Sequence, residues 1–252
     1  MMIFRLISVE LQRYLREIKA YYPDHIVGLV VTFVFFYGFF VGFSGNIGNE
    51  YMYIGFFYWF FASTVISEGS ISISYEKQVG TFEQLYLKPT SLLLILTIRT
   101  VIWMFIGFIK TLILFPIILL ALDINFIISI QVLPIFIITM IGLYGFGVFL
   151  SSLTLLYTKT ASFESIISYL FLFFTGAIIP LSQLPTQIGD LSKFLPLTLG
   201  IEMSKNAIKF NEIVPRELLL LSINSFIYLL LGIVFYKFVI SKGKKSGFSS
   251  KY

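Results

Sequence analysis

Apolar residues run through this chain in long stretches with short polar punctuation between them. A helix that crosses a bilayer needs about 20 mostly apolar residues, within a range of roughly 17–25. Six stretches qualify: Ile26–Phe43, Tyr51–Ser67, Thr100–Leu122, Phe126–Leu156, Phe163–Leu181 and Leu218–Tyr236. The fourth is longer than one crossing requires and contains Gln131 and Pro134, which predicts a tilted or kinked helix or a lead-in turn outside the bilayer. Ahead of the first stretch, Ile3, Phe4, Ile7, Leu11, Tyr14, Leu15 and Ile18 recur at spacings of three and four, while Arg5, Arg13, Arg16 and Lys19 fall elsewhere around the wheel. That pattern predicts an amphipathic helix over residues 1–24 lying on the inner leaflet, its basic residues near anionic headgroups. The other reading is a cytoplasmic helix packed on loops. Pro23 is expected to break this helix and Asp24 to cap the first span.

Composition sets the class. Hydrophobic residues make up 58% of the 252 and charged residues 12%, against roughly a quarter charged in a soluble domain. With a mean hydropathy of +0.92 the chain has too little polar surface to be a free cytosolic enzyme, so an all-α integral membrane protein is expected. The absence of cysteine removes disulfides, thiolate metal sites, iron–sulfur clusters and Cys nucleophiles together. The N-terminus, charged through Lys19, does not read as a cleavable signal.

The formal charge of +5 informs mainly through its placement. Arg5, Arg13, Arg16, Lys19, Lys77, Lys88, Arg99, Lys159, Lys237, Lys242, Lys244, Lys245 and Lys251 fall on one side of a six-span topology. Only Lys193, Lys205, Lys209 and Arg216 fall on the other. The positive-inside rule then puts both termini in the cytoplasm of a multi-pass cell-membrane protein, and no nucleic-acid partner is expected.

Two connections are more than turns: 68–99 inside and 182–217 outside. In the first, Gly80 permits a turn, Thr81 is placed to cap a short helix, Glu83 and Gln84 lie near that helix's positive end, and Pro89 stops it. Phe82, Leu85 and Tyr86 share one face at helical spacing. The expected product is a compact cytoplasmic knob with an exposed apolar face, which needs either the chain's own helix ends or a second protein as partner.

The run Glu76-Lys77-x-x-Gly80-Thr81-x-Glu83-x-Leu85-x-x-x-Pro89-x-Ser91 resembles the cytoplasmic signature of ABC-2 type transporter permeases. Independently, Gly176 to Leu181 with Pro180, then Leu184-Pro185, Leu195-Pro196-Leu197-Thr198 and Ile201-Glu202 resemble that family's stretch between its fifth and sixth spans. The resemblance covers the whole chain as one transmembrane domain, 1–252. It implies a permease subunit of an exporter, with no catalysis and no cofactor of its own, that pairs with a separate ATPase carrying ATP and Mg. It further implies a dimer, homomeric or heteromeric, of two such permeases. Residues 81–87 would be the coupling helix seated in the ATPase, 3–19 the connecting helix, and 182–217 would hold short re-entrant helices. Glu76, Gly80, Thr81, Phe82, Glu83, Leu85, Tyr86 and Pro89 would then form the ATPase joint, and Pro180, Pro185, Pro196 and Glu202 the extracytoplasmic motif.

The chain carries no phosphate-binding loop of its own. Its one Gly-Lys pair is Gly243-Lys244, and the position five residues earlier is Phe238, where GxxxxGK[ST] requires glycine. Hydrolysis would therefore occur on another polypeptide and reach this one mechanically. His25 is the only histidine, so neither a second imidazole ligand, a Ser/His/Asp set nor HExxH can be assembled.

Within the spans, Lys110 lies about 15 Å past Thr100, near mid-membrane, where a cation is costly and marks function by default. Arg99, Trp103, Ile106 and Lys110 share a face, which is expected to point into the bundle, a dimer seam or a wet cavity. Arg99, Trp103 and Lys110 are therefore candidates for a substrate path; the alternative is a later helix start with Lys110 snorkelling to the inner surface. Glu68 and Glu164 read as boundary charges. The aromatic clusters read as lipid contact and interfacial belt, or as walls of a path for an amphipathic or lipid-like substrate such as a drug, lipid, peptide or glycan. Two rival readings remain: a secondary carrier, which needs midplane acids and repeated halves, and a non-transporting assembly or immunity component.

Overall fold

The structure, a computed structural model, describes residues 2–43, 52–121, 129–157 and 161–246. The expected Lys159 and Lys251, and the predicted boundaries at Tyr51, Leu122 and Phe126, lie outside the described residues. The described residues hold helices and no strand: α1 Met2–Ala20, α2 Tyr22–Phe43, α3 Met52–Val79, α4 Phe82–Tyr86, α5 Leu92–Ala121, α6 Val132–Leu156, α7 Ala161–Phe174, α8 Thr186–Ser192, α9 Pro196–Phe210 and α10 Pro215–Ser246. An all-helical chain is what hydrocarbon demands, since each backbone N–H and C=O must find its partner within the segment.

Among the described residues four helices are long and apolar enough to cross a membrane: Tyr22–Gly42, Leu92–Ile118, Val132–Leu156 and Pro215–Gly243. The other two expected spans correspond to α3 and α7. In α3, Ser, Thr, Tyr and Trp dilute the apolarity, and α7, with 14 residues, is about 21 Å long, short of the roughly 30 Å of hydrocarbon.

Several boundaries differ from expectation. The second stretch does not end at Ser67, because α3 continues to Val79 and the segment 68–79 is helix rather than loop. Glu68 is therefore buried inside a helix instead of standing at a boundary. Residues Ile130 and Gln131 form a lead-in turn to α6, which places Pro134 in the first helical turn, where its missing N–H leaves no bond unmade. Asp24 does not cap α2; the helix starts at Tyr22 and Asp24 lies in its first turn, at its positive end. Each proline of the outer connection begins an element, as its fixed φ favours: Pro180 precedes a 3-10 turn at Leu181–Gln183, Pro185 precedes α8, and Pro196 and Pro215 open α9 and α10.

The chain forms two compact units, Met1–Asn49 with Thr90–Phe126, and Glu50–Pro89 with Ile127–Tyr252. In the second unit small residues bring backbones together, the usual means of helix association in lipid. A Cβ on Gly145 would lie 2.3 Å from Leu229 Cα, one on Gly142 2.8 Å from Ser225 Oγ, and one on Gly147 2.6 Å from the Val65 carbonyl.

These pairs fix helix direction. Along α6, Gly142, Gly145 and Phe149 meet Ser225, Leu229 and Phe235 of α10 in the same order, so α6 and α10 run parallel. Gly147, Ser151 and Leu155 meet Val65, Gly69 and Lys77 of α3 likewise, so α3 is parallel to both. The α7 segment runs opposite to α3: Trp59 Nε1 donates to the Ser168 carbonyl at 2.7 Å, while Gly55 abuts Ala177 further along.

Gly145→Ala places a methyl into the α10 backbone and is expected to cost about 1–3 kcal/mol by overpacking. Gly28→Ala meets nothing within 4 Å and should leave stability unchanged or raise it by up to about 1 kcal/mol through helix propensity. Thermal unfolding of both variants in detergent measures the difference.

Candidate functional site

The end of α3 builds a defined elbow. Its backbone closes with two bonds, Gly80 N–H to the Lys77 carbonyl at 3.2 Å and Thr81 N–H to the Glu76 carbonyl at 2.9 Å. This is the Schellman arrangement, which requires a left-handed residue just past the helix; Gly80 supplies it with φ +78°. The Thr81 hydroxyl donates to the Glu76 carboxylate, so it does not cap α4, contrary to expectation. Glu76 thus accepts from Thr81 through both its carbonyl and its side chain, and fixes where the next helix begins.

Lys77 ties this elbow to α6. Its ammonium donates to the carbonyls of Thr154 at 3.1 Å and Leu155 at 2.8 Å. These belong to the last turn of α6, where carbonyls lack intrahelical donors and the helix end carries partial negative charge. The same ammonium stands 5.6 Å from the centre of the Phe82 ring.

The short helix α4 then turns its apolar side inward. Phe82 and Leu85 are 5% and 4% exposed, with Tyr86 half-buried and its ring stacked on Phe82 at 6.2 Å. The exposed apolar face expected of Phe82 and Leu85 is therefore covered within the chain. What α4 presents outward is Glu83, Gln84, Leu87, Lys88 and Pro89, with Leu87 79% exposed.

The first unit carries the second group of predicted residues. Arg99, Trp103, Ile106 and Lys110 do share one face of α5, and that face is covered by α1 and the start of α2. Arg99, 2% exposed, donates through Nε to Glu10 Oε2 at 3.1 Å and through Nη2 to Glu10 Oε1 at 3.3 Å. Arg13 adds a longer contact to Glu10 Oε2 at 3.7 Å. Tyr14 packs edge-on against Trp103 at 5.0 Å and joins Ile98, Ile102 and Ile106 in a buried cluster, flanked by Leu6, Leu11 and Ile18.

The apolar stripe of α1 therefore divides: Leu6, Leu11, Tyr14 and Ile18 face α5, while Ile3, Phe4, Ile7 and Leu15 are exposed. The expectation of a stripe wholly in the leaflet is corrected to this extent. Helix α5 begins at Leu92, ahead of the predicted start at Thr100, and Lys110 lies in its middle portion. Its ammonium lies 3.3 Å from His25 Nδ1 in the first turn of α2 and 5.8 Å from the centre of the Trp103 ring.

Glu10 escaped the sequence reading. The signal was available: Leu6, Glu10, Tyr14 and Ile18 recur every four residues, so one carboxylate interrupts an otherwise apolar row. A buried carboxylate on such a row requires a buried cation nearby.

The segment predicted as the extracytoplasmic motif forms a fold-back over the end of α7. The backbone bends through Thr175–Ile179, with Gly176 at φ +80°. Lys205 on α9 donates to the Gly176 carbonyl at 2.7 Å and lies 3.7 Å from Glu202 Oε1. Burial lowers the Lys205 pKa, and the neighbouring Glu202 carboxylate opposes that shift. Among the described residues no group of His, Asp and Glu side chains can hold a metal ion.

Glu10→Ala leaves Arg99 charged and buried, which is expected to cost about 3–5 kcal/mol. Glu10→Ala combined with Arg99→Leu should recover much of that loss, because a buried pair replaced by apolar groups is often neutral. A double-mutant cycle on the unfolding midpoint measures both.

No curated protein is similar enough to the chain to match it. The model of the family described as ABC-2 type transporter matches residues 2–208, a stretch that begins with α1 and includes the elbow and the motif from Pro180 to Glu202. The chain belongs to the ABC-2 type transporter family.

Proposed function

We propose that this protein is the permease subunit of an ATP-driven exporter, powered by a separate ATPase that docks on the elbow at α4. One observation carries the reading. Glu76, Lys77, Gly80 and Thr81 are all used internally to seat a short helix on the ends of α3 and α6, and Glu83, Gln84, Leu87 and Lys88 are left exposed on it. A push on α4 is thereby passed to two long helices through hydrogen bonds and a Schellman turn rather than absorbed by a loop. Transmission by rigid-body movement needs such a stiff joint. In this reading Leu87 and the polar residues beside it meet the ATPase, and Phe82 and Leu85 hold α4 to its own chain.

Membrane topology in this reading has six crossings, by α2, α3, α5, α6, α7 and α10, with both termini in the cytoplasm. The parallel course of α3, α6 and α10 supports it. A chain that crosses three times in one direction must return between crossings, and α5 and α7 supply the returns. Residues Thr175–Ile179 lengthen α7 toward a full crossing, with Thr175, Gly176, Ala177 and Ile178 buried. The positive-inside distribution sets the orientation.

Two such subunits would pair around the transported molecule. The aromatic and aliphatic character of the spans suits an amphipathic or lipid-like substrate.

Co-expression with a candidate ABC ATPase subunit from the same genome, followed by co-purification, tests the joint. Leu87→Asp and Glu83→Lys are expected to lose the ATPase with unchanged thermal unfolding, since both positions are exposed. Phe82→Asp, which buries a charge, is expected to lower the unfolding midpoint as well. Retention of the ATPase by both surface variants would refute the docking assignment.

A further inference from the structure

Helix α9 starts below the ends of the helices it packs on. Gly200 abuts Thr139 of α6, and the Phe194 carbonyl, one residue before the N-cap Leu195, accepts from Asn224 Nδ2 of α10 at 2.8 Å. Thr139 lies seven residues past Val132 and Asn224 nine past Pro215. At 1.5 Å per residue the first turn of α9 is thus about 10–14 Å below the ends of α6 and α10 that the six-crossing reading puts outside.

That turn is buried and unanswered. Pro196, Leu197 and Thr198 are all buried, Thr198 to 1% exposure. The N-cap is a leucine with no side-chain bond to offer, and Pro196 has no N–H. Among the described residues the N–H groups of Leu197 and Thr198 find no acceptor, and the Thr198 hydroxyl has no partner either. Side chains on a helix lean toward its N-terminus, so this hydroxyl, on the third residue of α9, is carried to the same end as the two N–H groups. Three donors therefore gather where the helix already bears partial positive charge. On the facing side, Asn224 Oδ1 and Ser225 Oγ of α10 are also buried and unpartnered among the described residues, and Asn224 Nδ2 is held there by Phe194.

A helix start with free N–H groups binds phosphate and carboxylate, and in transporters with interrupted helices such starts face the anionic groups of substrates. The nearest charges along α9 do not oppose an anion, since Glu202 is paired with Lys205 at 3.7 Å. Just before the turn, Lys193 and Asp190 form an ion pair at 2.8 Å with side chains 61% and 71% exposed, which needs water at that level. Phe194 beside them is 68% exposed. A charged, wet rim next to an apolar surface fits a molecule with an anionic head and an apolar body.

We infer that the buried N-terminus of α9 is a binding site for an oxyanion, the phosphate or carboxylate head of the amphipathic molecule that the permease moves. The identity of that occupant rests on the exporter reading; the site itself does not involve the ATPase. The Leu197 and Thr198 N–H groups and the Thr198 hydroxyl donate to the oxyanion, and Ser225 supplies a further hydroxyl from α10.

The purified protein in detergent, without any ATPase, is offered equimolar oleoyl lysophosphatidic acid and monoolein, which differ only by the phosphate. Native mass spectrometry counts what is retained. The wild type is expected to prefer lysophosphatidic acid by about tenfold, as a charge-assisted set of hydrogen bonds allows. Thr198→Val removes an unpaired hydroxyl, so the unfolding midpoint should stay or rise while retention of lysophosphatidic acid falls about tenfold and that of monoolein is unchanged. Thr198→Ser, which keeps the hydroxyl, should retain the preference, and Ser222→Ala, at an exposed position of α10, should change nothing. Excess inorganic phosphate is expected not to displace the lysophosphatidic acid; displacement would assign the site to a free anion and overturn the assignment to a substrate head. Equal retention of the two molecules by the wild type, or a preference that survives Thr198→Val, would overturn the site. Failure here leaves the ATPase co-purification untouched, and loss of the ATPase joint leaves lysophosphatidic acid retention untouched.

Discussion

The contact on which the rest depends is the one between the Lys77 ammonium and the terminal carbonyls of α6. Helix ends are where backbone groups go unsatisfied, and a cation on the last turn answers both the missing donors and the partial negative charge. Here the donor comes from a second helix, so satisfying the end of α6 also fixes the end of α3 beside it. Because the Gly80 turn and the Glu76–Thr81 bonds start from the same turn of α3, α4 inherits that position. The short helix is thereby placed by polar bonds at its root and by the burial of Phe82 and Leu85 along its length.

The first unit solves a related problem by a different device. Helix α1 approaches α5 along an apolar row, and the one carboxylate in that row, Glu10, is matched by the one arginine on the facing side, Arg99. A buried ion pair adds little net stability, since desolvation offsets the attraction, but it fixes register: one turn of slip would separate both charges. Tyr14 against Trp103 sits one turn further along in the same direction on both helices. The basic residues of α1 other than Arg13 remain on the opposite side, so the helix keeps a polar face while its packed side is specified.

Much of this was legible in the sequence where a residue type has one physical use. Gly80 predicted a turn, and the chain turns there. The shared face of Arg99, Trp103 and Lys110 followed from spacing alone. What was not legible depended on partners distant in sequence. Residues 68–79 look loop-like because Ser70, Ser72 and Ser74 interrupt the apolar run, yet they are buried on a helix that meets α6 at Gly147, Ser151 and Leu155. Small polar residues are favoured at helix contacts in membranes because they let backbones approach. Likewise, the sequence shows that Phe82, Leu85 and Tyr86 share a face and leaves open whether that face meets the chain itself or another protein. The structure assigns Phe82 and Leu85 to the chain and leaves Leu87 outside.

The central claim is that the outward side of α4, at Leu87, is the contact with the ATPase. The chain has no cysteine, so a single introduced one reports without background. A short bifunctional cross-linker from Leu87→Cys to the co-expressed ATPase measures this contact most directly, with Leu191→Cys on the outer connection, 70% exposed, as the comparison. The account predicts a cross-linked permease–ATPase product from position 87 and none from position 191. No product from 87, or equal product from both, would contradict it.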